Sequence, residues 1–239
     1  MHDTALEIGK KFFETYTKEK TSLKIIDVGA QDVNGSLRSV APQNNDFIGV
    51  DFVAGKGVDV ILTDPYKLPF DEESIDVIVC SSCFEHSEFF WILFIEMQRV
   101  LKANGLLYIN VPSNGNFHRH PVDCWRFYPD SGKALQNWAR FSGYQTTLIE
   151  SFISEQKNDI WNDFVAVYVK DLQYVDQYPN RIQNNYTNFK NGLSYPNSDF
   201  SHYSIKSEDQ RRPFYKRIKK RLYKLSLKLK RIYNKISFK

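Results

Sequence analysis

The sequence predicts an α/β protein built on a doubly wound, mostly parallel sheet. Short runs of apolar, largely β-branched residues recur at 23–28, 47–51, 58–62, 75–80 and 106–111. Stretches with helical apolar spacing stand before the first run and after the fourth. Strands this uniformly apolar, alternating with helices, belong in a parallel sheet covered on both faces.

The first helix is predicted over 4–17, where Leu6, Gly9, Phe12, Phe13 and Tyr16 share one face. LKIIDV (23–28) is the first strand and stops at Gly29. FIGVD (47–51) ends in an acid, and VDVIL (58–62) leads into Asp64 and Pro65. IDVIVC (75–80) precedes a helix whose stripe is Phe90, Leu93, Phe94, Met97, Val100 and Leu101, with Ser87 as N-cap and Gly105 as the stop. LLYINV (106–111) ends at Pro112. A helix over 130–142 runs up to Gly143, and strands follow over 145–152 and 161–169. From 171 to 207 Asn, Gln, Ser and Tyr dominate; Leu172, Val175, Ile182, Leu193 and Ile205 are too few for an independent core. The expected organisation is a sheet domain over 1–170, a polar arm or lid lying on it over 171–210, and a tail over 211–239.

Composition excludes several classes. The chain is 42% hydrophobic and 25% charged, which supports a buried core and excludes a disordered chain. The longest apolar run, 89–95, falls far short of the roughly 20 residues that cross a bilayer. The first 20 residues mix acids and bases without an apolar signal core, and three cysteines suit reduced thiols, so a cytoplasmic setting is expected. The net charge of +4 hides an asymmetry: 13 of the 32 Lys/Arg and no acid lie in 211–239, which leaves 19 bases against 28 acids elsewhere. A body that acidic is not built to wrap nucleic acid.

In an open parallel sheet, ligands bind beyond the carboxyl ends of the central strands. The first such end reads Asp27, Val28, Gly29, Ala30, Gln31 and on to Gly35; the second ends in Asp51, where a carboxylate can accept both hydroxyls of a ribose. A dinucleotide site would need Gly-x-Gly-x-x-Gly, and residues 29–34 read GAQDVN, which lacks two of those glycines. IIDVGAQDVNG, Asp51, DPYKLPF (64–70), VCSSCFEH (79–86) and LKANGLLYINVP (101–112) together resemble the class I S-adenosylmethionine-dependent methyltransferases, of the type-11 kind, over residues 23–169. The resemblance implies a Rossmann-like sheet of seven strands and S-adenosylmethionine as cofactor. It also implies that Asp27, Gly29, Ala30, Gln31 and Gly35 approach the methionine part and that Asp51 binds the ribose. Phe52 or Val53 would pack on the adenine, Asp64 beside Pro65 would face its amino group, and Ser81 would lie under the sulfonium. Ala30 and Gln31 depart from the Gly-x-Gly usual in that first loop. Members that methylate DNA amino groups carry Asn/Asp-Pro-Pro-aromatic after the fourth strand; SSCF (81–84) here disfavours that acceptor.

The densest chemistry follows the fifth strand: NFHRHPVDCWRFY (116–128). An alcohol needs a positioned base to attack a methyl group at neutral pH. The expected base is His120 with Asp123 as its partner, and His86 is the reserve candidate. His118, Arg119, Trp125 and Arg126 would bind the acceptor, the guanidiniums taking a phosphate and the aromatic ring a sugar face. HRHPVDCWRFYP resembles methyltransferases found with bacterial capsule or O-antigen assembly. That resemblance implies a small, phosphate-bearing sugar acceptor at the inner membrane face; a phosphoryl or amidate precursor and a silent cofactor-binding scaffold are the alternatives. No ligand set for a divalent metal stands out in the sequence.

In the tail, Phe214, Ile218, Leu222, Leu225, Leu229, Ile232 and Ile236 recur every three or four residues with Lys/Arg on the other faces. This predicts a basic amphipathic helix lying on an anionic membrane surface. Packing on the chain's own body or in a homodimer, and an RNA-binding arm, are the competing readings.

Overall fold

A computed structural model describes residues 2–157 and 160–207. The tail helix expected over 211–239 therefore lies outside the described residues. Helix α1 (Asp3–Tyr16) opens the chain, followed by β1 (Lys24–Val28), β2 (Asp46–Asp51), β3 (Val60–Ile61), β4 (Ile75–Ser81), α2 (Phe90–Val100), β5 (Leu101–Pro112), α3 (Ser131–Phe141), β6 (Thr147–Ser154), β7 (Asp163–Val169) and β8 (Phe189–Ser194). The sheet order is β3-β2-β1-β4-β5-β7-β6-β8. Strands β3 to β5 pair in parallel, and β7, β6 and β8 continue the sheet antiparallel.

Alternation along the strands divides the core in two. Ile26, Ile78, Leu107, Ile109 and Ala166 face Leu93, Phe94 and Met97 of α2 and Leu135 and Ala139 of α3. Ile25, Val77, Val79, Tyr108, Val165 and Val167 face Ile8, Phe12, Phe13 and Tyr16 of α1 on the other side. This is the two-sided cover that the apolar strands imply.

The polar segment departs most from expectation. It adds an eighth strand to the expected seven, with β8 pairing along β6, and the compact unit runs to Ser204 instead of ending near 170. Val175, Tyr178, Ile182, Tyr186 and Phe189 complete the second core, so aromatic rings supply the apolar area that the scarce aliphatics do not. The buried Glu150 carboxylate fastens the segment down, accepting from Tyr16 Oη (2.6 Å) and from the backbone amides of Ile182 (2.6 Å) and Gln183 (3.2 Å).

Two helix boundaries also differ. Ser87 does not cap α2; it closes a short 3₁₀ turn, Phe84–His86, and α2 begins at Phe90. Leu101 leaves the helix and pairs with Ile75 as the first residue of β5. The bend at 102–105 that resembles a helix stop is a bulge inside the strand. A Cβ at Gly105 would lie 2.7 Å from the Leu101 side chain and 2.9 Å from the Lys102 carbonyl oxygen.

Candidate active site

A cavity of about 800 Å³ opens at the carboxyl ends of β1, β2, β4 and β5. One wall is made of strand ends. Gly29 sits at φ +84°, and a Cβ there would lie 2.7 Å from that of Cys83, so no other residue fits. The Gly29 and Ala30 amides both donate to the Val50 carbonyl (3.0 and 3.1 Å). The Gln31 amide donates to Asp51 Oδ2 (3.1 Å), and Asp51 Oδ1 accepts from the Val53 amide (3.1 Å). The first loop is thereby tied to the end of β2. Each Asp51 oxygen retains capacity for another donor.

The Ala30–Gln31 departure has a physical compensation. A Cβ at Gly49 would meet the Gly57 carbonyl oxygen at 2.0 Å and the Ala30 Cβ at 2.8 Å, so glycine at 49 leaves room for both. The Gln31 side chain lies against Gly55, and the Asp32 amide donates to the Lys56 carbonyl (2.8 Å). The same wall holds two buried polar groups. Burial pushes the Asp27 carboxyl up to about 7, with Asp51 acting in the same direction against Arg38. Ser81 Oγ is buried without a hydrogen-bond partner among the described residues, and Ser82 beside it is held at φ +52°.

The second wall comes from the loops after β4 and β5. Asn114 anchors the longer loop, exchanging hydrogen bonds with the Asn162 amide (2.7 Å) and side chain (2.9 Å). Asp123 is buried by its neighbours: Arg126 donates to both carboxylate oxygens (2.5 and 2.8 Å) and the His118 amide to Oδ2 (2.7 Å). Burial would raise its pKa, but these bonds hold it at about 2. His86 Nδ1 donates to the Val122 carbonyl (2.5 Å), and its ring lies 4.9 Å from that of His118 and 6.1 Å from that of His120. Burial lowers the His86 pKa against the pull of that carbonyl. Glu85 is 1% exposed, and burial pushes its carboxyl up to about 8.

Residues 16–109 match the family described as a methyltransferase domain. That match spans less than half of the chain and supports S-adenosylmethionine-dependent methyl transfer as its activity. Its fold is similar to that of the 1,6-didemethyltoxoflavin N1-methyltransferase of Burkholderia thailandensis, solved with its substrate and S-adenosylhomocysteine (TM-score 0.55, 14% identity, 71% of this chain and 79% of that one). It is also similar to YcgJ of Bacillus subtilis (TM-score 0.53, 13% identity, 71% and 99%). A third likeness is a sarcosine dimethylglycine methyltransferase, named as putative, from Galdieria sulphuraria (TM-score 0.51, 13% identity, 70% and 85%). No curated protein matches the sequence.

The cavity gathers most of the residues singled out from sequence. Asp27, Gly29, Ala30, Gln31, Gly35, Asp51, Phe52, Pro65, Ser81, His86, His118, Arg119 and His120 all line it. The unpartnered Ser81 hydroxyl, the glycine-only turn at 29 and the open capacity of Asp51 fit the cofactor. Asp64 does not line the cavity; its Oδ1 caps its own turn by accepting from the Tyr66 amide (2.8 Å). Asp123 does not pair with His120, because Arg126 and His118 occupy both its oxygens. Arg126 is consumed by that pair, and Trp125 Nε1 donates to the Ser87 carbonyl (3.0 Å) while its ring packs on Phe90 and Trp91. Both hold the loop and neither lines the cavity.

Sequence reasoning passed over Glu85, His2, Trp161 and Asp163, which also line the cavity. His2 Nε2 lies 3.0 Å from Asp163 Oδ1, and its ring stacks on Trp161. Nothing local marks His2, which stands far from the sheet in sequence. Asp163 does carry a signal: a lone acid opening the apolar run FVAVYV.

Proposed function

We propose that the protein methylates a sugar hydroxyl, on a nucleotide-linked or other phosphate-bearing precursor of a surface glycan such as capsule. The observation that carries this reading is the wall on which His86, His118, Arg119 and His120 meet around the cavity. Three imidazoles and a guanidinium suit an acceptor with hydroxyls to deprotonate and a phosphate to hold. On the other wall Asp51 would hold the ribose hydroxyls, the Gly29–Gln31 backbone the methionine part, Phe52 and Pro65 the adenine, and Ser81 the region of the sulfonium. Bound there, the cofactor supplies a methyl group on a positively charged sulfur.

His120 is the proposed base. Its ring nitrogens make no hydrogen bond among the described residues, and its amide donates to the Val122 carbonyl (3.2 Å). As the acceptor oxygen forms its bond to the methyl carbon, His120 takes the hydroxyl proton. The leaving group would be S-adenosylhomocysteine, a neutral thioether, released as the carbon–sulfur bond gives way to the new carbon–oxygen bond. The glycan setting rests on the likeness of HRHPVDCWRFYP to capsule and O-antigen methyltransferases. Segment 211–239 would meet the anionic inner face where those precursors are made.

Incubating the full chain with S-adenosylmethionine and a panel of nucleotide sugars, while following S-adenosylhomocysteine, tests the reading. Release with one sugar class is expected. Tight cofactor binding without release for any of them would overturn it.

A further inference from the structure

Glu85, His86 and His118 each bring a ligand-type atom within 4.8 Å of the others, all on the cavity wall. Glu85 and His86 come from the turn after β4, and His118 from the loop after β5. Glu85 Oε2 is buried without a hydrogen-bond partner among the described residues, and Oε1 lies 3.7 Å from His86 Nε2. A buried carboxyl oxygen with no donor among the described residues is available to a cation.

Each imidazole has one ring nitrogen already engaged, as metal-ligating histidines commonly do. His86 Nδ1 donates to the Val122 carbonyl (2.5 Å), which fixes the tautomer and leaves Nε2 with its lone pair. His118 Nδ1 lies 3.2 Å from the Asn116 carbonyl oxygen and 3.4 Å from Asp123 Oδ2, leaving its Nε2 free in the same way. Asp123 is itself clamped by Arg126, so the ring is braced through two further groups, as ligating histidines commonly are.

We propose that Glu85, His86 and His118 bind one divalent transition-metal ion of the manganese or zinc type, whose open positions take two neighbouring hydroxyl oxygens of the acceptor. Two imidazoles and one carboxylate favour such an ion over magnesium, which prefers an all-oxygen shell. Bonds of about 2.1 Å hold donor atoms about 3.0–3.4 Å apart, so the three would close in from a separation of up to 4.8 Å. Such an ion would acidify a bound hydroxyl, as metals do bound water, and so ease transfer of its proton to His120. Chelation of an adjacent pair also narrows the substrate class to sugars with vicinal hydroxyls. This rests on the sugar-hydroxyl reading, but the ion's site stands on its own geometry.

The full chain, stripped with EDTA and dialysed, is titrated with Mn²⁺ while the paramagnetic resonance signal of the free ion is followed; Zn²⁺ is scored by its competition. One ion per chain is expected, with affinity reduced at least about tenfold in Glu85→Gln and in His118→Ala. The His118 side chain is one-third exposed, so its truncation keeps a folded protein to compare if the buried Glu85 variant fails. No binding at millimolar Mn²⁺ or Zn²⁺, or binding unchanged in the folded variants, overturns the site. Metal binding without transfer to any sugar supports the site and overturns the sugar reading. Transfer at full rate in EDTA overturns the ion's role and leaves the sugar reading standing.

Discussion

The two walls of the cavity are held by different forces. On the cofactor wall, the sheet itself positions the ligand groups: Gly29, Ala30 and Gln31 hang from Val50 and Asp51 by backbone amides. On the acceptor wall, side chains hold other side chains: Arg126 clamps Asp123, Asp123 takes the His118 amide, and Val122 fixes the His86 ring. A wall made by the fold serves any acceptor, whereas a wall made by loop side chains is specific to this chain. Cofactor binding and acceptor chemistry should therefore be separable by mutation.

The largest separation is expected at His120. His120→Ala should lower kcat by at least about a hundredfold, the usual contribution of a general base, with cofactor affinity retained. Single-turnover transfer and calorimetric titration read the two quantities independently. Gly29→Ala should do the reverse, closing the cofactor wall. The added methyl overlaps Cys83, and the left-handed backbone adds strain of about 1–3 kcal/mol, visible as a lowered Tm and lost cofactor binding. Asp51→Ala removes the proposed ribose acceptor and the anchor of the Gln31 amide. Loss of a charged hydrogen bond worth about 1.5 kcal/mol or more predicts at least a tenfold weaker cofactor complex, measured by titration.

The effect tested at Asp27 is neither binding nor turnover but a pH dependence of stability. Its carboxyl titrates at about 7 in the folded chain, raised by burial from an ordinary 3.8. Between those values the folded state keeps a proton that the unfolded state has released, so stability falls as pH rises from about 4 through 7. In cofactor-free protein, Asp27→Asn should flatten the decline of Tm between pH 5 and 8. An unchanged slope would show that the folded carboxyl ionises normally.

Legibility in the sequence divides in a parallel way. The parallel strands β1, β2, β4 and β5 announce themselves because both their faces are buried, giving runs such as IDVIVC. Strand β8 (FKNGLS) does not. It sits at the sheet edge with half its residues only partly buried, and a buried carboxylate on β6 helps hold its segment down. In the site, glycine and acid at strand ends mark the cofactor wall by position alone. The acceptor wall could be read for composition but not for pairing. Spacing could not show that Asp123 would take Arg126 three residues on instead of His120. Nor could it show that His118 would meet Glu85 across more than 30 residues of chain.

The measurement that tests the division of the cavity most directly is calorimetric titration of S-adenosylmethionine into wild type, Asp51→Ala and His118→Ala. Affinity should fall tenfold or more in Asp51→Ala and stay within about twofold of wild type in His118→Ala, as for independent sites. Equal losses in both, or a larger loss in His118→Ala, would contradict the assignment of cofactor and acceptor to separate walls.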